Sequence, residues 1–529
     1  MEHNGSLTPD RSKVDAEYQF RDCRIFPLEA GMNDSNPELP ALQFEMDLVL
    51  PVLGPLLAGT LRVDCTSISL KGTENGTPNE FTGPGYIAQM DTEGFAITIF
   101  VAGTLSLEEA LRPGGTPGTL MGDAFTLEAT DELNRNWRAE NIRMCAPEGC
   151  VGASGYVVRA TCWELVMQRP SGSMEGFSLE VWSRGELPLP PPHHTSTGLL
   201  PLVEQPEDYA GRRYRTTVVA NTFHSDGFDF AAFHHHGNTC VRAMGKQPLP
   251  PNIGPRVWES MLFALAGPLN WSAIRLAEGA NEDLRMCSPR RQATSDGSPP
   301  ILSHLYPPPH DTWQIFDRYL QYVLRTPSKA SHPWQLHPLS TQVLSVRSSA
   351  NTSLEVQSLA LTIAVEAVLG DFFLELGKPT ETGVAALKDL VEHINAWASN
   401  NKMDNETEMQ EARKQLRSRA SNAIGNFKKA SAKDRLRALL SEGATSDIGL
   451  KAWKELRNAA THGDWSGLRS NYQKWMDLIG AVRTLFHQII FRLIGYTGTY
   501  TDYGTHGYPL RKHPPNPATG PSPSPDGAA

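Results

Sequence analysis

Residues 456–465 read "LRNAATHGDW", a pattern typical of the last turns of a helix. Gly463 suits the left-handed position that follows a helix, so His462 falls in the last turn. We predict that this helix begins near Ser446. Its apolar residues recur at three- and four-residue spacing and would dock the helix on a bundle of neighbours; they are Trp453, Leu456 and Ala460.

The polar residues of the same stretch fit chemistry on RNA. Asn458 and His462 are four residues apart and share one helix face, and Arg457 lies about 100° round from Asn458. The ribose 2′-hydroxyl is itself a nucleophile, so a ribonuclease needs only to move a proton and to stabilise charge on the phosphate. Histidine suits the first task and arginine the second, without a metal. The alternative is the polar end of an ordinary helix, which the spacing alone favours.

A carboxylate on an earlier helix is a candidate partner for Arg457. Glu366 is in line with Leu359, Ile363 and Phe373, which we predict as the apolar stripe of the first bundle helix. A buried carboxylate is costly unless it is paired, and we predict Arg457 as that partner. The alternative is that the helix is rolled and Glu366 faces solvent.

A basic segment precedes the motif helix. Residues 412–437 contain nine basic residues and one acid, in a chain whose net charge is −10. This local excess suits binding to a phosphate backbone, and the alternative is a solvated helical face or a loop. The candidate RNA-binding residues are Arg413, Lys414, Arg417, Arg419, Lys428 and Lys429.

The rest of the chain indicates an α+β multidomain protein. Residues 1–185 alternate as antiparallel strands, and we expect a sandwich-like domain. Residues 186–206 are a proline-rich linker, and residues 207–345 are a mixed α/β region that we expect to pack on the N-terminal domain. An all-α bundle follows at 351–505, opening with a capping box at Thr352 and Glu355. Residues 512–529 should be disordered.

Composition narrows the functional classes. The seven cysteines are scattered and odd in number, which favours reduced thiols in a cytoplasmic protein. The N-terminus lacks the pattern of a signal peptide, and no apolar run is long enough to predict a membrane span. Adjacent histidines such as His234, His235 and His236 point in different directions and rarely bind one ion. We therefore predict no metal and no cofactor.

The motif and its position resemble a known family. "RNAATH" in a terminal helical bundle resembles the RN-x-x-x-H motif of HEPN domains, over roughly residues 351–505. The closing helix that runs into "IGYTGTYTDYG", and the helix "VWESMLFALAGPLNW" before the bundle, are similar to the Apea-like branch of that family.

The resemblance implies a metal-independent endoribonuclease that acts as a homodimer or higher homo-oligomer. The motif helices of two chains would face each other and place Arg457, Asn458 and His462 in one composite cleft, with Glu366 as support. The branch is associated with bacterial abortive infection, in which a phage-derived trigger leads to RNA cleavage. The N-terminal region would then sense the trigger or restrain the cleavage. Other HEPN domains only dimerise or bind nucleotide, so a non-catalytic interaction module is the alternative.

Overall fold

The computed structural model describes most of the chain between residues 50 and 514. Lys428, Lys429 and the tail from residue 515 onward lie outside the described residues, so the predictions made for them stay predictions. The described residues are 50–74, 77–90, 94–104, 125–145, 154–170, 177–187, 189, 197–204, 214–225, 228–235, 237–250, 252–265, 271–278, 281–287, 299–302, 309–326, 335–400, 411–419, 422 and 430–514.

Fourteen antiparallel strands form one sheet ahead of the helical region, which confirms the α+β layout. The strands follow β-branched and alternating apolar positions, with Val63, Ile68, Ile97 and Ile99 among the buried side chains. The strands are β1 Arg62–Glu74, β2 Thr77–Gln89, β3 Phe95–Ala102, β4 Phe125–Asp131, β5 Asn136–Met144, β6 Gly155–Cys162, β7 Glu164–Pro170, β8 Phe177–Arg184, β9 Thr197–Glu204, β10 Tyr214–Ser225, β11 Phe228–His235, β12 Asn238–Gly245, β13 Ala273–Glu278 and β14 Asn281–Cys287.

The first six strands close into a ring, where we expected a sandwich. Their pairing runs β1-β2-β3-β6-β5-β4 and back to β1. β5 makes this possible because one of its edges has two partners: residues 136–138 pair with β7, and residues 143–144 pair with β6. Asn141 lies between the two pairings at φ 55°, a left-handed conformation that asparagine tolerates better than most residues.

The sheet continues from the ring as β7-β14-β13-β8-β12-β11-β10-β9. β8 therefore pairs with two strands, β12 and β13, that come after the proline-rich segment. The second half of that segment is itself strand β9, which pairs with β10, and Pro201 lies opposite Thr217 there. We predicted this half as a polyproline linker, but its alternation with Leu and Val residues suits an edge strand, where proline is tolerated.

The helices cover the later strands and then form the bundle. Their bounds are α1 Leu50–Ala58, α2 Ile253–Ala264, α3 Pro309–Arg325, α4 Pro338–Ser349, α5 Leu354–Phe372, α6 Glu381–Asn400, α7 Ala432–Ser441, α8 Asp447–His462, α9 Ser466–Arg469 and α10 Tyr472–Ile494, with residues 411–419 also helical. A short hairpin of β15 Thr499–Thr501 and β16 Leu510–Lys512 follows. One continuous apolar core joins β8 and α2 to α10 and Tyr500.

Buried polar groups fix α2 to α4. Arg256 and Glu259 of α2 form an ion pair, and both side chains are almost fully buried. Glu259 also accepts from the backbone N–H of His337 at 3.1 Å and from the Ser340 hydroxyl at 2.8 Å. Burial raises the pKa of Glu259. Satisfied buried networks of this kind specify one packing arrangement, because leaving any member unpaired is costly.

The predicted cap of the first bundle helix is wrong by one residue. The residue that caps α5 is Ser353, whose hydroxyl accepts from the Val356 N–H at 3.4 Å, so the Thr352–Glu355 capping box does not form. α3 begins at Pro309, because proline suits a first turn. Asp311 is therefore inside the helix, and its carboxylate accepts from the Thr499 N–H at 3.2 Å.

Two further observations bear on the sequence predictions. His513, which we placed in the disordered tail, is buried with its ring 5.4 Å from that of Phe491. Among the described residues, no helix is long and apolar enough to cross a membrane.

Candidate functional site

The motif residues lie on α8, which has well-defined ends. The Ser446 hydroxyl accepts from the Gly449 N–H at 3.1 Å at the start, and Gly463 follows the last residue at φ 64°. Both ends agree with the prediction, and His462 is the last helical residue. The chain therefore turns away directly after His462, which leaves this side chain at an exposed end.

The helix buries one face and exposes the motif on the other. Leu450, Trp453 and Leu456 are buried against the bundle, since α8 packs on both α5 and α10. The side chains of Arg457, Asn458 and His462 are exposed; Ala460, predicted for the docking stripe, is only half-buried. The structure thus places all three motif side chains on one solvent-facing end of one helix.

Arg457 pairs with Glu366 of α5, as the sequence suggested. Its Nε lies 2.5 Å from Glu366 Oε1. The Arg457 side chain is 44% exposed and that of Glu366 is 38% exposed, so the pair is at the surface and solvent screens it. The carboxylate fixes where the guanidinium points. Among the described residues it is the only hydrogen-bond acceptor of Arg457, so the terminal nitrogens remain available to an incoming anion.

Aromatic packing holds the base of the site. The Arg457 guanidinium lies 5.8 Å from the centre of the Trp453 ring, within range of a cation–π contact. The loop after α8 is anchored by Trp465, which stacks on Trp475 at 5.3 Å. The Trp475 indole donates to the Ser358 hydroxyl of α5 at 2.9 Å. These contacts fix the exposed end of α8 relative to α5.

Asp464 is a residue of the site that the sequence reasoning missed. Its carboxylate accepts from the backbone N–H and the hydroxyl of Ser466, at 3.1 and 2.6 Å. These hydrogen bonds lower the pKa of Asp464, and the nearby His462 lowers it further. A permanent negative charge therefore lies beside the histidine. The signal was present in the sequence, since Asp464 is two residues after His462 and a serine, Ser466, is two residues after Asp464.

The stripe of α5 that we predicted to be core is exposed, which corrects its orientation. Leu359 is 44% exposed and Ile363 is 54% exposed, while Phe373 is half-buried at the helix end. The helix is apolar on nearly all sides, so periodicity could not choose its buried face. The opposite face packs in the bundle because it has small residues as well as apolar ones; its buried residues are Ser358, Leu361, Thr362, Ala364, Val365, Val368 and Leu369. Glu366 thus faces solvent in part and still pairs with Arg457.

The basic residues form a separate group. Arg413, Lys414, Arg417 and Arg419 lie on the helical residues 411–419. The Arg413 guanidinium is 5.8 Å from the centre of the Trp397 ring of α6, and the other three side chains are exposed. The structure therefore brings Glu366 to the motif helix and places these four basic residues on a different helix.

In the described part of the chain, no group of three or more His, Cys, Asp or Glu side chains is arranged to hold a metal ion. In the histidine-rich segment, His224 Nδ1 lies 2.9 Å from Asp229 Oδ1, and both side chains are exposed.

Comparison with known proteins identifies no relative of this chain. No protein-family model, no curated protein and no solved structure matches this chain. The fold and the geometry of the site therefore carry the functional argument.

Proposed function

We propose that this protein is a metal-independent endoribonuclease whose site is formed by Arg457, Asn458 and His462. The observation that carries the proposal is the Arg457–Glu366 pair: it holds a guanidinium, with its terminal nitrogens available, at the same exposed helix end as a histidine. A positioned cation and a titratable imidazole are the two groups that phosphodiester transfer requires.

The residues have distinct roles in this proposal. His462 takes the proton from the ribose 2′-hydroxyl as its oxygen attacks phosphorus, and the bond from phosphorus to the 5′-oxygen of the next nucleotide breaks. A protonated imidazole gives the leaving 5′-oxygen its proton. Arg457 binds the phosphoryl oxygens as negative charge develops, and Asn458 orients the RNA or the imidazole. The products carry a 2′,3′-cyclic phosphate and a 5′-hydroxyl.

A second copy of the chain would complete the site. The exposed stripe of α5, formed by Val356, Leu359 and Ile363, lies on the helix that carries Glu366. Pairing through such a stripe would bring two motif helices together, and a two-fold dimer is the commonest closed assembly. With the resemblance to Apea-like HEPN proteins, this supports an antiphage effector in which the N-terminal region senses a phage-derived trigger or restrains cleavage.

The second candidate function is a non-catalytic dimerisation or nucleotide-binding module. One observation favours it: among the described residues, neither Asn458 nor His462 has a side-chain hydrogen-bond partner that would orient it. A binding module does not need this orientation, whereas an enzyme must obtain it from RNA or from a second chain.

Controlled expression in bacteria separates the two functions. We expect wild-type protein to stop growth and to fragment total RNA, and His462→Ala to do neither. His506→Ala is the matched control, because His506 is also exposed and lies outside α8. Growth arrest without RNA fragments, or equal toxicity of His462→Ala, would contradict the enzyme and favour the module.

A further inference from the structure

A pocket lies between α1 and the end of the sheet where β8 ends and β12 begins. Its volume is about 470 Å³, which is within the range of small-molecule sites. Leu53, Leu57 and Ala58 of α1 form one wall. The other wall, which we call the strand wall, includes Trp182 of β8 and His235 of β11. We call the space between the two walls the α1 pocket.

The α1 pocket is on the sheet face that points away from α2. Leu179 and Val181 of β8 belong to the apolar core that also contains α2. Successive side chains of a strand point to opposite faces, so Trp182 and Arg184 point to the other face, where they line the pocket. The α1 pocket is therefore separate from the core that joins the sheet to the helical bundle.

Glycines show that the space is open on both walls. A Cβ atom added to Gly54 would meet no atom within 4 Å beyond its own helix α1, and one added to Gly237, just before β12, would also meet none. Gly54 and Ala58 are both exposed and lie one turn apart on α1. The helix thus presents its smallest residues to the open part of the pocket, and Leu53 and Leu57 line the deeper part.

A buried ion network fixes Trp182 in the strand wall. Its indole N–H donates to Glu180 at 3.1 Å, and the same carboxylate accepts from Arg242 at 2.7 and 3.0 Å. An Arg275 nitrogen lies 3.5 Å from the Glu180 carboxylate. Although burial opposes ionisation, the two arginines hold the pKa of Glu180 below its ordinary value. A buried network of this kind is rigid, so the strand wall is preorganised.

Arg184 supplies a positive charge at the edge of the pocket. Its side chain is exposed at the end of β8, and one terminal nitrogen lies 3.7 Å from the place that a Cβ on Gly59, directly after α1, would take. Among the described residues, no hydrogen bond or ion pair engages this guanidinium. None of the described residues that line the pocket is acidic. An anionic group here would therefore meet Arg184 without a competing carboxylate.

We propose that the α1 pocket binds a small aliphatic acid, with its hydrocarbon chain against Leu53 and Leu57 and its carboxylate at Arg184. Leucine side chains offer no polar atoms, so they favour a hydrocarbon. Trp182 is 1% exposed, so its ring offers little area for stacking a flat aromatic ligand. The guanidinium can donate to both oxygens of a carboxylate, which favours an acid over an alcohol of the same length. This site is independent of the ribonuclease proposal, because none of its residues is on α5 or α8.

Isothermal titration calorimetry on the full chain at neutral pH and constant ionic strength tests the ligand class. The probes are octanoate, decanoate, 1-octanol and acetate. We expect one saturable site per chain for octanoate and roughly tenfold tighter binding of decanoate, because two more methylene groups are buried. Binding of 1-octanol should be about five- to tenfold weaker than that of octanoate, and acetate should not bind. Absence of saturable octanoate binding would overturn the proposal, and so would equal affinities for octanoate and 1-octanol.

One pair of variants tests the role of the positive charge. Arg184→Gln should bind octanoate as weakly as the wild type binds 1-octanol, and its affinity for 1-octanol should not change. Lys246→Gln is the matched control, because Lys246 is also exposed and directly follows the other end of β12. Wild-type octanoate affinity in Arg184→Gln would overturn the proposal, and so would an equal loss in Lys246→Gln.

A second pair of variants tests the location. Ala58→Phe places a large side chain in the pocket from an exposed position, so it should lose the binding of both octanoate and 1-octanol at an unchanged Tm. Thr60→Phe is the matched control, because Thr60 is exposed close to Ala58 and does not line the pocket. Wild-type affinities in Ala58→Phe would overturn the assignment to the α1 pocket, and so would equal losses in Thr60→Phe.

Discussion

Replacing Glu366 by glutamine separates the stability of the site from its chemistry. The Arg457–Glu366 pair is roughly 40% exposed on both sides, so its contribution to the free energy of unfolding should be only about 0.2–1 kcal/mol. The corresponding fall in Tm is at most about 3 °C. If Glu366 positions the guanidinium for the phosphate, the rate of RNA cleavage should nevertheless fall about ten- to a hundredfold, because small misplacements of catalytic groups are costly.

The assay is steady-state cleavage of a labelled RNA, with Tm measured on the same preparations. We expect the loss in kcat, since Arg457 acts on charge that develops in the transition state, and we expect the pH profile to keep its shape because His462 is unchanged. Glu355→Gln is the matched control: it removes another exposed ion pair of α5, that with Arg469 at 3.1 Å, without touching α8. Equal cleavage rates for the Glu366→Gln and Glu355→Gln proteins would refute the reasoning.

Three further predictions concern stability. Gly480→Ala should lower the free energy of unfolding by about 1–3 kcal/mol in a urea titration, because the new Cβ would lie 2.3 Å from the Tyr503 carbonyl oxygen; a gain in stability, as for an open helix position, would contradict this close approach. Ser446→Ala should cost about 1 kcal/mol by removing the cap of α8, and an unchanged urea midpoint would contradict that role. Burial lowers the pKa of His337 and His513 to about 4, so the unfolded chain binds more protons than the folded chain between pH 6.5 and 4. The stabilisation from each neutral histidine should be full above pH 6.5 and fall by roughly 3 kcal/mol towards pH 4. Urea midpoints that are equal at pH 7 and pH 4.5 would contradict this prediction.

The parts of the site that depend on local chemistry could be predicted from the sequence. The caps Ser446 and Gly463 fixed the ends of α8, and a carboxylate on an otherwise apolar helix pointed to Arg457. The orientation of α5 could not be predicted, because its apolar residues surround the helix and small residues such as Ser358 decide which face packs. We predicted the pairing of Glu366 from the cost of burying a carboxylate, yet the pair with Arg457 forms at the surface.

The order of the strands in the sheet could not be predicted from the sequence. β7 and β8 are consecutive in the chain, yet β14 and β13 lie between them in the sheet. Alternating residues identify a strand but do not choose its neighbour, since every strand here offers similar apolar edges. Arg347 of α4 and Arg483 of α10 illustrate the same point, because they come together only when these two helices pack near each other.

The most direct test of the central claim is cleavage of labelled RNA by the purified full chain in EDTA, with wild type, His462→Ala and His506→Ala compared. The account predicts that wild type and His506→Ala cut the RNA to products with 2′,3′-cyclic phosphate ends, and that His462→Ala, with an unchanged Tm, leaves it intact. Cleavage by His462→Ala at the wild-type rate, or intact RNA with all three proteins, would contradict the claim that the motif is catalytic.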